Sequence, residues 1–342
     1  MRVDEPVFAA AGRVARGLRE VTDDLAALHR PGFWAVLITF EGAVTCARFS
    51  DVRPGPPPPA RPWIGPPPTA WTTSLDEPAY HRAVGTIREH IAAGEVYQAN
   101  LCRVLRAELP DPTRADPMAL AALLAAGNPA PQAAALRLPD HGIAVASASP
   151  ELYLRRAGAQ VESAPIKGTA RPGIALGEKD RAENVMIVDL VRNDLGRVCV
   201  PGSVTVPALC AEEAHPGLVH LVSRVRGRLR PDVGWPELVD ATFPPGSVSG
   251  APKAAALEII RALEPTPRGP YCGGLGWVDN TTDTAALAVG IRTFWIADDA
   301  LHFGTGAGIT WGSDPAAEWA ETELKAAHLL HLAAGPALVG RR

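Results

Sequence analysis

The chain has 342 residues, 47% hydrophobic and 20% charged, enough for a large buried core and too long for a small disulfide-stapled module. Its formal net charge of -4 offers no basic footprint for nucleic acid. Five cysteines (Cys46, Cys102, Cys199, Cys210 and Cys272) without CxxC spacing exclude a disulfide framework and a zinc site, and no apolar run reaches the ~18 residues of a membrane helix. A cytoplasmic protein without nucleic-acid or membrane partners is therefore expected. Asp4 and Glu5 stand where a secretory signal would be apolar.

Residues 1–50 read as an αβ opening, with an Ala/Arg/Leu-rich helical pattern to Leu28 and then a strand from Trp34 to Phe40. Prolines dominate Arg53 to Pro68, which predicts an extended surface connection. A helix is predicted from Tyr80 to Ala93, stopping at Gly94. VYQANLCRVLRAEL then alternates like a strand buried on one face, with Gln98 and Asn100 together on that strand. An Ala/Leu-rich helix lies between Asp111 and Pro131, and the strands AALRL and GIAVASAS lead to Pro150 and Glu151, where the next strand begins.

The stretch SAPIKGTARPG, Ser163 to Gly173, centres on Lys167. Its immediate neighbours bring no carboxylate to hold the charge, and burial in such surroundings lowers an ammonium pKa and frees a nucleophilic lone pair. Beyond it, a helix is predicted from Glu178 to Arg192, ended by RNDLGR. Strands are expected at Val198 to Val206 and Val219 to Leu229, and a helix from Trp235 to Ala241. The loop PPGSVSGAPK feeds a helix from Pro252 to Leu263. Strands near Gly274 to Val278, Ala286 to Trp295 and Ala300 to Gly304 precede a glycine turn and a last helix from Pro315 to about Leu332. Strands and helices without a regular βαβ beat favour an α+β fold.

Asp180 and Glu183 share one face of the helix from Glu178, and Glu318 and Glu321 repeat the spacing on the last helix. Four carboxylates with no histidine among them form a hard oxygen set suited to Mg²⁺ rather than Zn²⁺. Lys325 continues the Glu321 face as a salt-bridge partner or ligand contact. The glycine turns Gly246 to Gly250 and Gly304 to Gly308 could offer backbone N–H groups to an anion. Arg292, inside the apolar strand AALAVGIRTFW, is costly to bury unpaired and is expected to face an acidic ligand.

Lys167 in PIKGT, Glu183 in DRAENVMIVDLVRNDLGR, Ser249 to Lys253 in SGAPK, Arg292 in IRT, GAGI at 306–309 and EWAETELK at 318–325 occur in this order. Together, over about Tyr80 to Leu330, they resemble the chorismate-utilising enzymes, which include anthranilate, isochorismate, salicylate and aminodeoxychorismate synthases. The resemblance implies a single large domain of antiparallel sheets in a layered sandwich flanked by helices. Residues 80–332 would carry the catalysis and residues 1–79 a short opening of the same fold. It also implies direct Mg²⁺ ligation by Glu183 and Glu321, with Asp180 and Glu318 acting through water. Arg292, the amides around Gly306 and Gly308, Tyr271 and Lys325 would hold a chorismate carboxylate. Gln98, Thr169, His220, Ser249 and Gly250 would line the pocket, and Glu151 would be the general acid/base.

Two positions divide that family. Isochorismate and salicylate synthases carry a water-activating lysine where this chain has Gln98, which disfavours hydration at ring carbon 2. Anthranilate synthases read PIAGT where this chain reads PIKGT, as aminodeoxychorismate synthases do. The resemblance therefore implies covalent catalysis by Lys167 and amination at ring carbon 4, with anthranilate synthase or an aminodeoxyisochorismate-type enzyme as alternatives. None of the five cysteines has the Gly-x-Cys-x-Gly setting of a glutaminase nucleophile, so ammonia is expected from a separate glutamine amidotransferase subunit. Trp277 stands where many relatives have Tyr, and Ser249 where Thr is also common. About 80 residues precede Tyr80, fewer than in long relatives, which counts against a regulatory tryptophan pocket.

Overall fold

The computed structural model describes residues 5–58, 61–170, 173, 177–215 and 218–335. The chain opens with a hairpin rather than a helix: β1 (Val7–Ala10) and β2 (Arg13–Thr22) turn through Ala11 and Gly12, both left-handed at φ 51° and 70°. Such a two-residue turn matches strand twist, and pairing with further strands outweighs the helix preference of the Ala/Arg/Leu composition. After β3 (Phe33–Ile38) and β4 (Val44–Pro54) the proline-rich segment does more than connect. Trp63 is 4% exposed and donates its indole N–H to Ala333 O at 2.6 Å.

The short β5 (Thr72–Thr73) precedes α1 (Glu77–Ala92), whose start is fixed by the Asp76 carboxylate accepting from Ala79 N–H. β6 (Gln98–Glu108) is buried on both faces, not one, because α1 and a later helix cover one side and the sheet interior the other. α2 (Pro117–Gly127), capped by Asp116, leads to β7 (Ala134–Leu138), β8 (Ile143–Ser147), β9 (Leu152–Ala157), β10 (Gln160–Ala164) and β11 (Ile166–Ala170).

α3 runs from Glu178 to Gly196, straight through the RNDLG expected to end it. Ile187, Val188, Val191 and Leu195 form one buried stripe, so the core face continues past Arg192 and takes the helix with it. The strand expected at 198–206 is a turn with one isolated bridge, Cys199 to Leu229. The hairpin is instead β12 (Thr205–His215) with β13 (Leu218–Arg228). α4 (Trp235–Thr242), a 3₁₀ turn at Gly246–Val248, β14 (Gly250–Ala251) and α5 (Lys253–Leu263) follow.

The last strands are β15 (Gly274–Asp279), β16 (Thr284–Val289), β17 (Thr293–Ala297) and β18 (Ala300–Ile309), before α6 (Pro315–Ala333). The single strand expected over 286–295 is broken at 290–292. A Cβ on Gly290 would sit 2.2 Å from Pro270 O, and Arg292 is left-handed at φ 52°, so the chain turns there. Conversely, GTGAG is no turn but the second half of β18. Its glycines serve close packing: a Cβ at Gly304 would lie 2.0 Å from the Tyr271 ring.

Every pairing is antiparallel, and the strands run as one ladder, β6–β18–β17–β8–β7–β1–β2–β4–β3–β15–β16–β9–β10–β13–β12, with β5 and β14 added on β6 and β11 on β13. The ladder folds on itself, so that Phe8, Leu136 and Val145 of one half share a core with Phe33, Leu37, Phe49 and Leu275 of the other. α3 and α4 cover one outer face, and α2 and α6 the other. This is the α+β layered sandwich expected from the sequence. No helix among the described residues is long and apolar enough to cross a membrane.

Candidate active site

Lys167 sits on β11, which pairs with β13, and its half-buried side chain reaches across to donate from Nζ to Ser247 O at 3.1 Å. Burial pushes its ammonium pKa down from 10.5; Glu183 and Glu151 raise it, Lys325 lowers it and Glu321 raises it. Carboxylates absent from its own stretch therefore arrive from three other elements. Glu151, 3% exposed, lies just before β9 with its carbonyl accepting from Val289 N–H. Burial drives its carboxyl up to about 7, and the Ser247 hydroxyl, the Lys167 charge and the Ile166 N–H pull it back. Ser247 thus ties acid and amine together, its hydroxyl on Glu151 and its carbonyl on Lys167. Nothing in the isolated PPGSVSG loop marks Ser247, because its role depends on two distant strands.

Gln98 opens β6 beside them. A Cβ built on Gly308 would lie 2.2 Å from Gln98 Nε2 and 3.4 Å from Lys167 Nζ, so glycine at 308 is what lets all three groups meet. Gln98 Oε1 is buried and has no hydrogen-bond partner among the described residues. A buried acceptor without a donor is costly unless a ligand supplies one.

The amides of Gly306 and Gly308 are placed by the ladder. Their opposite residues, Cys102 and Asn100, send their own N–H groups away from β18, to Glu264 Oε1 and Ser249 O at 2.8 Å each. These are therefore non-hydrogen-bonded pairs, and the two glycines turn their N–H groups to the opposite edge. β17 leaves that edge at Phe303, opposite Phe294. Lys325 of α6 occupies part of it, donating to Gly306 O at 3.0 Å while pairing with Glu321 at 2.5 Å.

Two more groups approach from the crossing of two loops, where Cys272 N–H donates to Gly290 O. Tyr271 is buried against Gly304, and burial raises its phenol pKa. Arg292 stands in the left-handed region, a conformation costing a non-glycine residue of order 1–3 kcal/mol and concentrated at functional sites. Burial pushes its guanidinium pKa down, and its side chain has no partner among the described residues. It is therefore set up for an acidic ligand, from a turn rather than from within a strand.

Glu183 and Glu321 approach the Lys167 ammonium from α3 and α6. Glu318, one turn before Glu321, is 4% exposed and, with Glu321, raises the phenol pKa of Tyr80. No group of three or more His, Cys, Asp or Glu among the described residues is spaced to hold a metal ion. Two carboxylates near one ammonium, both oxygen donors, nevertheless fit Mg²⁺, which characteristically uses one or two carboxylates and keeps several waters. Asp180 does something else: its carboxylate turns back to accept from Gly177 N–H at 2.9 Å and caps α3. α6 is fastened beneath the carboxylates by the buried Arg103 of β6, which stacks 4.0 Å from the Trp319 ring and donates to Thr322 Oγ1 at 3.0 Å.

Ser249 and Gly250 stand behind this arrangement rather than in it. Ser249 donates its hydroxyl to Pro245 O at 3.0 Å, and a Cβ on Gly250 would lie 2.3 Å from Gln98 O, so both fix the loop against β6. His220 is buried on β13 opposite Thr169, of which only the backbone is described.

Comparison with known proteins follows this geometry. The chorismate binding enzyme family matches residues 43–331. Anthranilate synthase component 1 of Streptomyces coelicolor is 43% identical over 275 residues, 76% of this chain and 52% of its own length. Aminodeoxychorismate synthase of Streptomyces pristinaespiralis is 44% identical over 262 residues, 73% of this chain and 36% of its own length. The chain thus spans about half or less of the length of these relatives. The menaquinone-specific isochorismate synthase of Escherichia coli has the same fold, with a TM-score of 0.83 over 97% of this chain and 89% of that one at 19% identity.

Proposed function

Because this chain belongs to the chorismate-binding enzyme family, we propose that it aminates chorismate at ring carbon 4. In this reading it acts as the chorismate-binding component of an aminodeoxychorismate synthase. The observation that carries the proposal is the Lys167–Ser247–Glu151 contact, an amine whose charge burial disfavours held beside a carboxyl that titrates near 7. Lys167 adds at carbon 2 while Glu151 gives its proton to the departing carbon 4 hydroxyl. Ammonia then adds at carbon 4 as the lysine leaves, giving 4-amino-4-deoxychorismate. Two allylic displacements replace one difficult direct exchange. Gln98 Oε1, an acceptor in need of a donor beside Lys167, suits an incoming amine.

Arg292, Tyr271, Lys325 and the Gly306 and Gly308 amides would hold a substrate carboxylate, with Thr169 and His220 along the β11–β13 wall. Mg²⁺, held by Glu183 and Glu321 with Glu318 reached through water, would supply positive charge for another substrate carboxylate. Ammonia would come from a separate glutamine amidotransferase, since none of the five free cysteines, four of them buried, has a nucleophile setting. Near-equal identity to an anthranilate synthase keeps that activity as the rival. Chromatography of the product from chorismate, Mg²⁺ and ammonium separates them: 4-amino-4-deoxychorismate is expected, and anthranilate would overturn the proposal. Glutamine in place of ammonium should give no turnover by the isolated chain.

A further inference from the structure

Against Glu151 lies a cavity of about 20 Å³, room for a water molecule, whose lining also includes Ser247. Its wall includes Glu151, Tyr153, Ser163, Val191, Asp194 and Thr242. The Tyr153 and Thr242 hydroxyls are 2.6 Å apart, and Thr242 donates onward to Leu238 O at 2.7 Å, so Tyr153 is the donor to Thr242 and keeps a lone pair for a guest. Asp194, 5% exposed, accepts from Lys253 Nζ at 2.7 Å through one oxygen. Lys253, whose side chain keeps 17% exposure, also donates to Thr242 O at 3.1 Å. The cavity therefore joins the buried acid to an ion pair that touches solvent.

We propose that this cavity holds a water that passes protons between Glu151 and the Asp194–Lys253 pair. The inference rests on Glu151 being the acid of the proposed reaction. In that reaction Glu151 gives up one proton as the hydroxyl departs as water, and Lys167 becomes a substituted ammonium on carbon 2. Ammonia enters as NH₃ and forms the carbon 4–nitrogen bond; the carbon 2–nitrogen bond breaks, Lys167 leaves as a neutral amine, and the product carries NH₃⁺. Glu151 must then take one proton from water in each cycle. The charged group facing Glu151 is Lys167, and those facing Asp194 are Lys253 of α5 and Arg197, the residue after α3. Burial raises the Asp194 carboxyl pKa and lowers that of the Lys253 ammonium.

Two variants of the full chain test this. Asp194→Asn removes the relay carboxylate, and Val191→Ile fills the cavity with one methylene while leaving every polar group in place. Both should lower kcat about tenfold with the KM for chorismate within about twofold. The solvent isotope effect on kcat should rise, and imidazolium buffer should restore part of the rate, a response that a merely structural defect would not show. Asp194→Asn leaves Lys253 without its partner, so if it fails to fold, Val191→Ile decides. If the wild-type chain turns over chorismate with ammonium and the folded Val191→Ile variant matches its kcat and isotope effect, the relay is wrong and the amination reading stands. If the wild-type chain does not consume chorismate, the role of Glu151 falls and the relay with it.

Discussion

Replacing Glu151 by Gln should make the protein more stable at alkaline pH while removing its activity. The folded carboxyl titrates near 7, against 4.5 for an ordinary glutamate, because burial disfavours its ionised form. In the unfolded chain the proton is released first. The native state therefore holds the extra proton between about 4.5 and 7, and wild-type stability falls as pH rises through that window. The whole displacement corresponds to about 3 kcal/mol, of which about 2 kcal/mol is lost between pH 5.5 and 8.5. Gln keeps the shape and the contact with Ser247 but does not titrate, so its stability should lack this loss. Urea unfolding of both proteins at the two pH values, followed by tryptophan fluorescence, gives the difference directly. Turnover should fall by about 10²–10⁴ with the loss of the acid. Equal pH slopes for the two proteins, or an active Gln variant, would refute the reasoning.

Withholding ammonia from the wild-type chain with chorismate should leave a covalent adduct, which peptide mapping places on Lys167. Lys167→Ala should form none and should shift amination toward the 2-amino isomer; wild-type rates of 4-amino-4-deoxychorismate from that variant would show that Lys167 is no nucleophile. Glu183→Gln and Glu321→Gln each remove one charge at nearly constant shape. Each should raise the Mg²⁺ needed for half-activity by about 10- to 100-fold or more at an unchanged Tm, whereas wild-type activity at limiting Mg²⁺ would remove that residue from the ligand set. Gly308→Ala would push a methyl into Gln98 Nε2 and toward Lys167 Nζ, 2.2 Å and 3.4 Å from the new Cβ. It should cost about 1–3 kcal/mol in urea unfolding, together with most of the turnover. An unaltered variant would mean that Gln98 moves aside freely.

The long helices were legible because their periodicity and caps are local: Asp76, Asp116 and Asp314 each accept an N–H in the first turn that follows them. Lys167 was legible for what its stretch lacks, and Glu321 with Lys325 for their spacing. What could not be read were the places where tertiary packing decides. The Ala/Arg/Leu-rich opening became a hairpin through partners more than a hundred residues away. The break at Gly290–Arg292 comes where Pro270 O occupies the space of a side chain and Arg292 turns left-handed, contacts and backbone that the local sequence does not show. The glycines of GTGAG read as a turn because glycine is common in turns, whereas here each makes room for a neighbour's side chain. Asp180 had the right spacing for a metal set, but its first-turn position gave it another use as a cap.

The groups at hand to choose the bond that forms, Lys167, Gln98, Ser247 and Glu151, lie on β11, the start of β6, the 3₁₀ turn and the residue before β9. Those suited to grip the substrate's acid groups, Arg292, Tyr271, Lys325, Glu183 and Glu321, lie on two crossing loops and two helices. In the proposed reading this division makes the scaffold modular for evolution: a lineage could exchange the first set and alter its product while the second continued to recognise the same molecule. Two synthases with different names accordingly stand at 43% and 44% identity to one sequence, so identity at that level does not choose between their products.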